Sequence, residues 1–197
     1  MKQFRLSEAL KTLYSLIWDD FCNWYLEWIK PGFEQPIEAL VYNKTLEFFE
    51  KLMQLLHPFM PFITEEIYHL IKEQNEDLCV KQFESLNGTD TVILKHAELL
   101  KMVISAIRDA RNKNQVKPKK SIKLSIITND RDDYKDIELI LAKQVNADSI
   151  FYVTSAPAKS IVVAVEKDKF YFETGQEMDA VAQKDALEKD LQRQHQL

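Results

Sequence analysis

The sequence predicts a mainly α-helical protein in which an antiparallel helical bundle is followed by a small α/β subdomain. Four successive segments repeat apolar residues every three or four positions, the period of an amphipathic helix. After Pro118 the pattern changes to the alternation of a β-strand, and from Gln176 it becomes helical again. We therefore expect a bundle over residues 1–117, an α/β subdomain over 118–175, and the start of a C-terminal helical arm over 176–197.

The first two predicted helices are separated by a proline-glycine pair. The apolar stripe of the first helix consists of Leu6, Leu10, Leu13, Ile17, Phe21, Trp24 and Trp28. Pro31 and Gly32 end this helix, and the second runs from about Ile37 to the residue before Pro58. The stripe is at full strength by Leu6 without a capping residue before it, so we expect the chain to begin close to, or inside, a helix of a longer protein.

The third and fourth helices complete the predicted bundle. Pro61 suits the first turn of a helix, where its missing N–H is not needed, and this third helix extends to about Ile71. A polar connection over residues 74–90 leads to a fourth helix from about Asp90 to Arg111. Its apolar face consists of Leu100, Val103, Ile104, Ile107 and Ala110. Consecutive amphipathic helices with short links are typical of an antiparallel bundle.

The α/β subdomain is predicted as a β-α-β-β-β unit. The predicted strands are Ile122–Ile126, Ser149–Thr154, Ile161–Val165 and Phe170–Phe172, with a helix at Ile137–Val145 and a hairpin turn at Lys167–Lys169. In the last segment Leu187 and Leu191 stand four residues apart. That segment has too few heptads for a coiled coil by itself and suits the beginning of a truncated one.

Composition excludes several function classes. No apolar run approaches the roughly 20 residues of a membrane helix, and the N-terminus lacks a signal-peptide pattern, so we expect a cytosolic protein without a membrane partner. Only three glycines are present, whereas phosphate-cradling loops cluster them; we expect no ATP or dinucleotide site in this chain. The two cysteines, Cys22 and Cys79, have no histidine neighbours at metal spacing, so no structural zinc site is predicted.

Three other groups of residues favour structural over chemical roles. The aromatic side chains Trp18, Trp24, Tyr25 and Trp28 could stack on RNA bases, but their helical spacing favours a place in the core. His57 has no second ligand or nucleophile close in sequence, so we expect a packed or capping histidine. The acidic pairs Asp19-Asp20, Glu65-Glu66 and Asp132-Asp133 are expected on solvated faces.

A basic segment stands out from an acidic chain. Residues 108–123 carry seven basic side chains and one acid, a charge of +6 in a protein whose net charge is −5. Local positive potential is what binds phosphate. The candidate phosphate contacts are Arg108, Arg111, Lys117, Lys119 and Lys120. A solubilising linker explains the same charge density equally well.

Several runs resemble the C-terminal anticodon-binding region of valyl-tRNA synthetases. The runs that carry the resemblance are Arg5–Leu10, Trp18–Phe21, Trp24–Glu27, Leu56–Ile67, Ile107–Arg111 and the tail from Phe170 to Leu191. The histidine-proline corner within Leu56–Ile67 is similar to the strongest signature of this domain in valyl, isoleucyl and leucyl enzymes, and Trp24–Glu27 favours the valyl enzyme. The class I ATP-binding signatures are absent; Lys119–Lys123 is only superficially like the second of them.

The resemblance implies a class I synthetase anticodon-binding bundle that binds the anticodon stem and loop of valine tRNA. It implies that the chain is a non-catalytic, monomeric part of a longer synthetase, and that only the parent enzyme uses ATP to attach valine to its tRNA. Two alternatives remain at this point. The first is the same domain of an isoleucyl or leucyl enzyme, and the second is a helical protein-interaction module without RNA binding.

Overall fold

The computed structural model describes residues 5–173 except 33, 72–75, 84–87 and 159. The protein is mainly helical and includes a small mixed β-sheet. The chain divides into two compact units, residues 1–90 and 91–197. The predicted C-terminal helical arm lies outside the described residues. Among the residues that the structure describes, none of the helices is both long and apolar enough to cross a bilayer.

The first unit is helical. Its elements are α1 (Leu6–Tyr14), a π-helical segment (Ser15–Tyr25), α2 (Leu26–Ile29), α3 (Ala39–Leu56), α4 (Pro61–Ile71) and a 3₁₀ helix (Leu78–Val80). The first three elements are continuous, so the predicted first helix is confirmed, although its centre follows the wider π-helical path. The proline boundaries at Pro31, Pro58 and Pro61 also agree with the observed helix ends.

The core of this unit is built from five buried residues that belong to four elements. Phe21 of the π-helical segment packs with Leu52 and Met53 of α3, with Tyr68 of α4 and with Leu78 of the 3₁₀ helix. The predicted apolar stripe is therefore only partly in the core.

The exposed members of the first apolar stripe lie near its beginning. Leu6 and Leu10 are exposed, and so is Trp18, which has 54% of its surface accessible and contacts Tyr14 in a stacked arrangement. The expectation of a core position is thus wrong for Trp18, whereas Trp24, Tyr25 and Trp28 are half-buried. Trp18 follows Ile17 directly, and one residue along a helix rotates a side chain away from the stripe.

The second unit contains α5 and the sheet. Its elements are α5 (Thr91–Lys113), β1 (Ile122–Ile127), α6 (Asp132–Lys135), α7 (Glu138–Gln144), β2 (Ala147–Tyr152), β3 (Ile161–Val165) and β4 (Asp168–Glu173). The expected division followed the fourth helix, at residue 117, whereas the contacts of α5 with β3 and α7 group this helix with the sheet.

The strand order among the described residues is β2-β1-β4-β3. β1 and β2 are parallel, so the chain between them must cross over, and α6 and α7 make that crossover. β4 is antiparallel to both of its neighbours, β1 and β3. The sheet buries Leu124, Ile126, Phe170 and Phe172, all at most 1% exposed.

The hairpin turn between β3 and β4 lies earlier than predicted. Val165 pairs with Asp168, so the turn consists of Glu166 and Lys167, and Glu166 has a φ of +50°. Asp168 belongs to the strand and is only 3% exposed. An aspartate beside lysines is typical of a turn, but this carboxylate accepts an inward hydrogen bond from Tyr134, a contact that local sequence does not reveal.

Candidate nucleic-acid interface

The basic segment runs from the end of α5 through a loop into β1. The helix ends at Lys113, and Gln115 adopts a left-handed conformation with a φ of +56°. The Val116 N–H then donates a hydrogen bond to the Arg111 carbonyl at 2.9 Å. This closure is typical of helix C-termini. It turns the chain so that residues 117–121 pass beside the last turn of α5.

Arg111 lies inside this loop and is 4% exposed. One terminal nitrogen, Nη1, donates to the Val145 carbonyl at 2.6 Å. The other, Nη2, donates to the carbonyls of Lys117 at 2.8 Å and Pro118 at 3.1 Å, and also to the carbonyl of Lys120. Burial lowers the pKa of Arg111, but a guanidinium keeps its charge inside a protein. Arg111 therefore fastens the loop to the end of α7.

Arg111 is removed from the candidate phosphate contacts on this geometry. Its terminal donors already bond to backbone carbonyls, and its Nε is buried without a hydrogen-bond partner among the described residues. A phosphate would have to approach a guanidinium that is surrounded by carbonyl oxygens. The charge pattern of the segment did not reveal that one of its cations is internal.

Lys117 and Lys119 are the exposed cations of the loop. The backbone that carries them is held in place, since the side-chain amide of Asn146 donates to the Lys119 carbonyl at 2.9 Å. The Lys120 N–H also donates to the Lys117 carbonyl at 3.0 Å. The two ammonium groups thus project from a backbone that Arg111 and Asn146 both fasten, and they are accessible to a phosphate partner.

Lys120 differs from the other two lysines. The residue is half-buried, and its Nζ is buried without a hydrogen-bond partner in the part of the chain that the structure describes. The ammonium group of Lys120 is therefore not presented to a macromolecular phosphate, and we also remove this residue from the candidate contacts.

Arg108 is exposed and borders a surface depression of about 390 Å³. Its Nη2 donates to the side-chain oxygen of Gln144 at 2.9 Å and lies 3.4 Å from the Gln144 carbonyl. This contact is at the surface, so the guanidinium can still turn toward an incoming anion. Arg108, Lys117 and Lys119 form the remaining set, which we call the basic surface.

His57 occupies the packed position that the sequence predicts. Its Nδ1 lies 2.8 Å from the Thr64 hydroxyl, across the corner between α3 and α4, and its side chain is 17% exposed.

The acidic pairs differ from one another in solvent exposure, although all were expected on solvated faces. Asp133 is 14% exposed, with Lys95 Nζ at 3.1 Å and Lys167 Nζ at 3.9 Å, and Glu65 is 25% exposed. The solvated-face expectation is therefore wrong for these two carboxylates.

Comparison with known proteins places these features in a family. Residues 1–127 match the model of the anticodon-binding domain of tRNA ligases. The chain is 32% identical to the valine–tRNA ligase of Parabacteroides distasonis over 98% of this chain and 22% of that protein. It is 44% identical to the valine–tRNA ligase of Phocaeicola vulgatus over 64% of this chain and 14% of that protein. For the Enterococcus faecalis valine–tRNA ligase the identity is 35%, over 65% and 15% of the two chains.

The alignment lengths bear on what these similarities mean. The chain spans 22% of the length of the Parabacteroides distasonis relative that it matches almost end to end. The matched family model ends at residue 127 and so includes α5, the loop and all of β1. Arg108, Lys117 and Lys119 lie within that matched region.

Proposed function

Because the chain belongs to the family of anticodon-binding domains of tRNA ligases, we propose that it binds the anticodon stem and loop of valine tRNA as part of a valine–tRNA ligase. The similarity to valine–tRNA ligases over nearly the whole chain supports the valine assignment. The family match also supports the finer fold prediction, a helical bundle of the class I synthetase type.

The proposed role of this region is to position the tRNA and not to react with it. Attachment of valine to tRNA with ATP is assigned to other parts of the parent enzyme, because this sequence lacks the class I ATP-binding signatures and any clustered glycines. The proposed partners are therefore valine tRNA and the remainder of the synthetase chain. We propose that the protein acts in the cytoplasm as a monomer and holds no nucleotide cofactor in this region.

The observation that carries the proposal is the pair of exposed lysines on a fastened loop. Lys117 and Lys119 project from backbone that Arg111 and Asn146 hold by hydrogen bonds. A positioned ammonium loses less conformational freedom on binding than one on a loose loop. Arg108 provides a third exposed cation, on the last turns of α5. Contacts with phosphate would fix the register of the RNA without reading its bases.

Replacing Lys117 and Lys119 together by glutamine is expected to weaken binding of valine tRNA and to reduce its salt dependence. Each lost phosphate contact removes counterion release, so the slope of log affinity against log salt should become less steep by about 1.5 for the pair. The measurement is a titration of the chain with valine tRNA at several salt concentrations. The matched control is Lys135→Gln with Lys169→Gln, which removes the same charge from exposed positions elsewhere in the same unit.

The same titration with an anticodon-swapped tRNA tests the specificity. Preferential, salt-sensitive binding of valine tRNA supports the proposal. Preference for an isoleucine or leucine anticodon would instead assign the domain to an isoleucyl or leucyl enzyme. If the two double variants lose equal affinity, the effect is one of net charge and the basic surface is not the contact.

Exposed apolar side chains favour the second candidate, a helical protein-interaction module. Phe62 and Leu70 of α4 are 90% and 77% exposed. They stand eight residues apart with Glu66 midway between them, so they share a helix face. Failure to bind either tRNA at low salt, together with Phe62-dependent association with another protein, would support this module over RNA binding.

A further inference from the structure

Three metal-ligating side chains meet at α4, in the first unit. Glu65 and His69 are four residues apart in this helix, which places them on one face, and Asp77 directly precedes the 3₁₀ helix. The Nε2 atom of His69 lies 3.2 Å from Glu65 Oε1 and 3.2 Å from Asp77 Oδ1. One ligand atom from each residue lies within 4.8 Å of the other two.

We propose that Glu65, His69 and Asp77 bind a divalent transition-metal ion of the zinc class. One imidazole and two carboxylates form a ligand set that zinc accepts, with bonds of about 2.0–2.2 Å. A tetrahedral ion with such bonds separates its ligand atoms by about 3.4 Å, close to the two distances of 3.2 Å that join His69 to the carboxylates. The fourth position is left to water.

The charges in the cluster favour a cation over a simple hydrogen-bond network. His69 Nε2 can carry a single hydrogen, yet carboxylate oxygens of two residues lie at the same distance from it. The two carboxylates also repel each other at this separation. A divalent ion would instead accept the Nε2 lone pair of neutral His69, with the ring hydrogen on Nδ1, and would balance the charge of both carboxylates.

Neighbouring groups hold the carboxylate of Glu65 in place. The Leu78 N–H donates to Glu65 Oε1 at 2.6 Å, and Leu78 is only 1% exposed. This bond fixes the orientation of the Glu65 carboxylate, as hydrogen bonds to metal ligands commonly do. It also ties the segment that follows Asp77 to α4, so the ligand that is distant in sequence is positioned by the same contact.

His57 adds a second imidazole beside Glu65. The Thr64 hydroxyl lies 2.9 Å from the Met60 carbonyl and donates to it, so its oxygen is left to accept from His57 Nδ1–H at 2.8 Å. His57 Nε2 lies 3.9 Å from the other oxygen of that carboxylate, Glu65 Oε2. The bond to Thr64 thus holds a second imidazole next to the cluster.

The test is a calorimetric titration of the chain at neutral pH with Zn²⁺, and with Co²⁺ as a spectroscopic probe. We expect one ion per chain, a visible Co²⁺ absorption that reports coordination by nitrogen and oxygen, and a rise in Tm with Zn²⁺. Asp77→Asn and His69→Gln should each weaken binding at least about tenfold and remove the rise in Tm. The Asp77 side chain is 64% exposed, so its variant keeps the fold and tests the ligand alone.

The controls separate this cluster from other metal-binding groups. His96→Gln removes an imidazole that also faces carboxylates, with Asp133 at 3.9 Å and Asp136 at 4.0 Å. Cys79→Ser removes an exposed thiol two residues from Asp77. Both variants should bind Zn²⁺ as the unchanged chain does. Absence of Zn²⁺ binding, equal binding by Asp77→Asn, or loss of binding in Cys79→Ser would overturn the proposal.

Discussion

Replacing Arg111 by methionine is expected to destabilise the second unit by about 3 kcal/mol or more, the range seen when a buried charged or hydrogen-bonded group is removed. Methionine keeps an unbranched side chain in place but removes the guanidinium that donates to the carbonyls of Lys117, Pro118, Lys120 and Val145. Unfolding by urea, followed by circular dichroism, measures the change in the free energy of unfolding.

Two further variants identify the cause of the Arg111 effect. Arg108→Met removes the same group from an exposed position, so its effect should stay within about 0.5–1 kcal/mol. Arg111→Lys keeps the charge but lacks the planar fork that serves several carbonyls at once, and we expect an intermediate loss. An Arg111→Met protein that unfolds at the urea concentration of the unchanged chain would contradict the anchoring role.

The anchoring role also separates two ways in which tRNA binding can be lost. Loosening the loop should weaken binding because the ammonium groups of Lys117 and Lys119 are no longer positioned. The Arg111→Met substitution should flatten the salt dependence less than the double substitution of Lys117 and Lys119, because both lysine–phosphate contacts can still form. A buried arginine can thus be needed for RNA binding without touching RNA.

The burial of Arg111 was readable from the sequence, although charge counting overlooked it. Ile104 and Ile107 lie on the buried face of α5, and Arg111 follows Ile107 by four residues, which continues the same stripe. Arg108 is one residue beyond Ile107 and turns away to solvent. The helical period therefore separates the internal cation from the exposed one, whereas their shared charge does not.

Local signals predicted the helix and strand positions well. Pro31, Pro58 and Pro61 act through φ restriction and a missing N–H, effects that depend on neighbouring residues alone. The period change after Pro118 likewise marked the start of β1. The order of the strands in the sheet depends on contacts between distant residues, so the sequence pattern did not reveal it.

Contacts between residues that are distant in sequence explain why the placements of Asp77 and Asp168 were not predicted. Glu65 and His69 show the helical spacing of two ligands, but Asp77 joins them only after the chain folds back beside α4. Asp168 was assigned to a turn because aspartate favours turns, whereas Tyr134, 34 residues earlier, draws it into the strand. No local pattern carries such information.

Removal of the Tyr134 hydroxyl is expected to produce the second large loss of stability, about 1–3 kcal/mol for Tyr134→Phe. Both residues are buried, and the Tyr134 hydroxyl donates to Asp168 Oδ2 at 2.5 Å. The other carboxylate oxygen, Oδ1, has no hydrogen-bond partner among the described residues. The phenylalanine variant would therefore leave a buried carboxylate with neither oxygen bonded by a side chain. Urea unfolding at neutral pH measures the loss.

A double-mutant cycle and a pH series test whether this pair acts as a unit. Tyr134→Phe combined with Asp168→Ala should lose less than the sum of the single variants, because neither partner is then left buried alone. Burial, and then the hydrogen bond to Asp168, raise the pKa of Tyr134 well above its usual value. The unfolded chain therefore loses this proton first, so the contribution to stability is complete below pH about 10 and falls as the pH rises further. Tyr134→Phe should lack that part of the alkaline decline, and strictly additive losses with an unchanged alkaline profile would show that the two residues act independently.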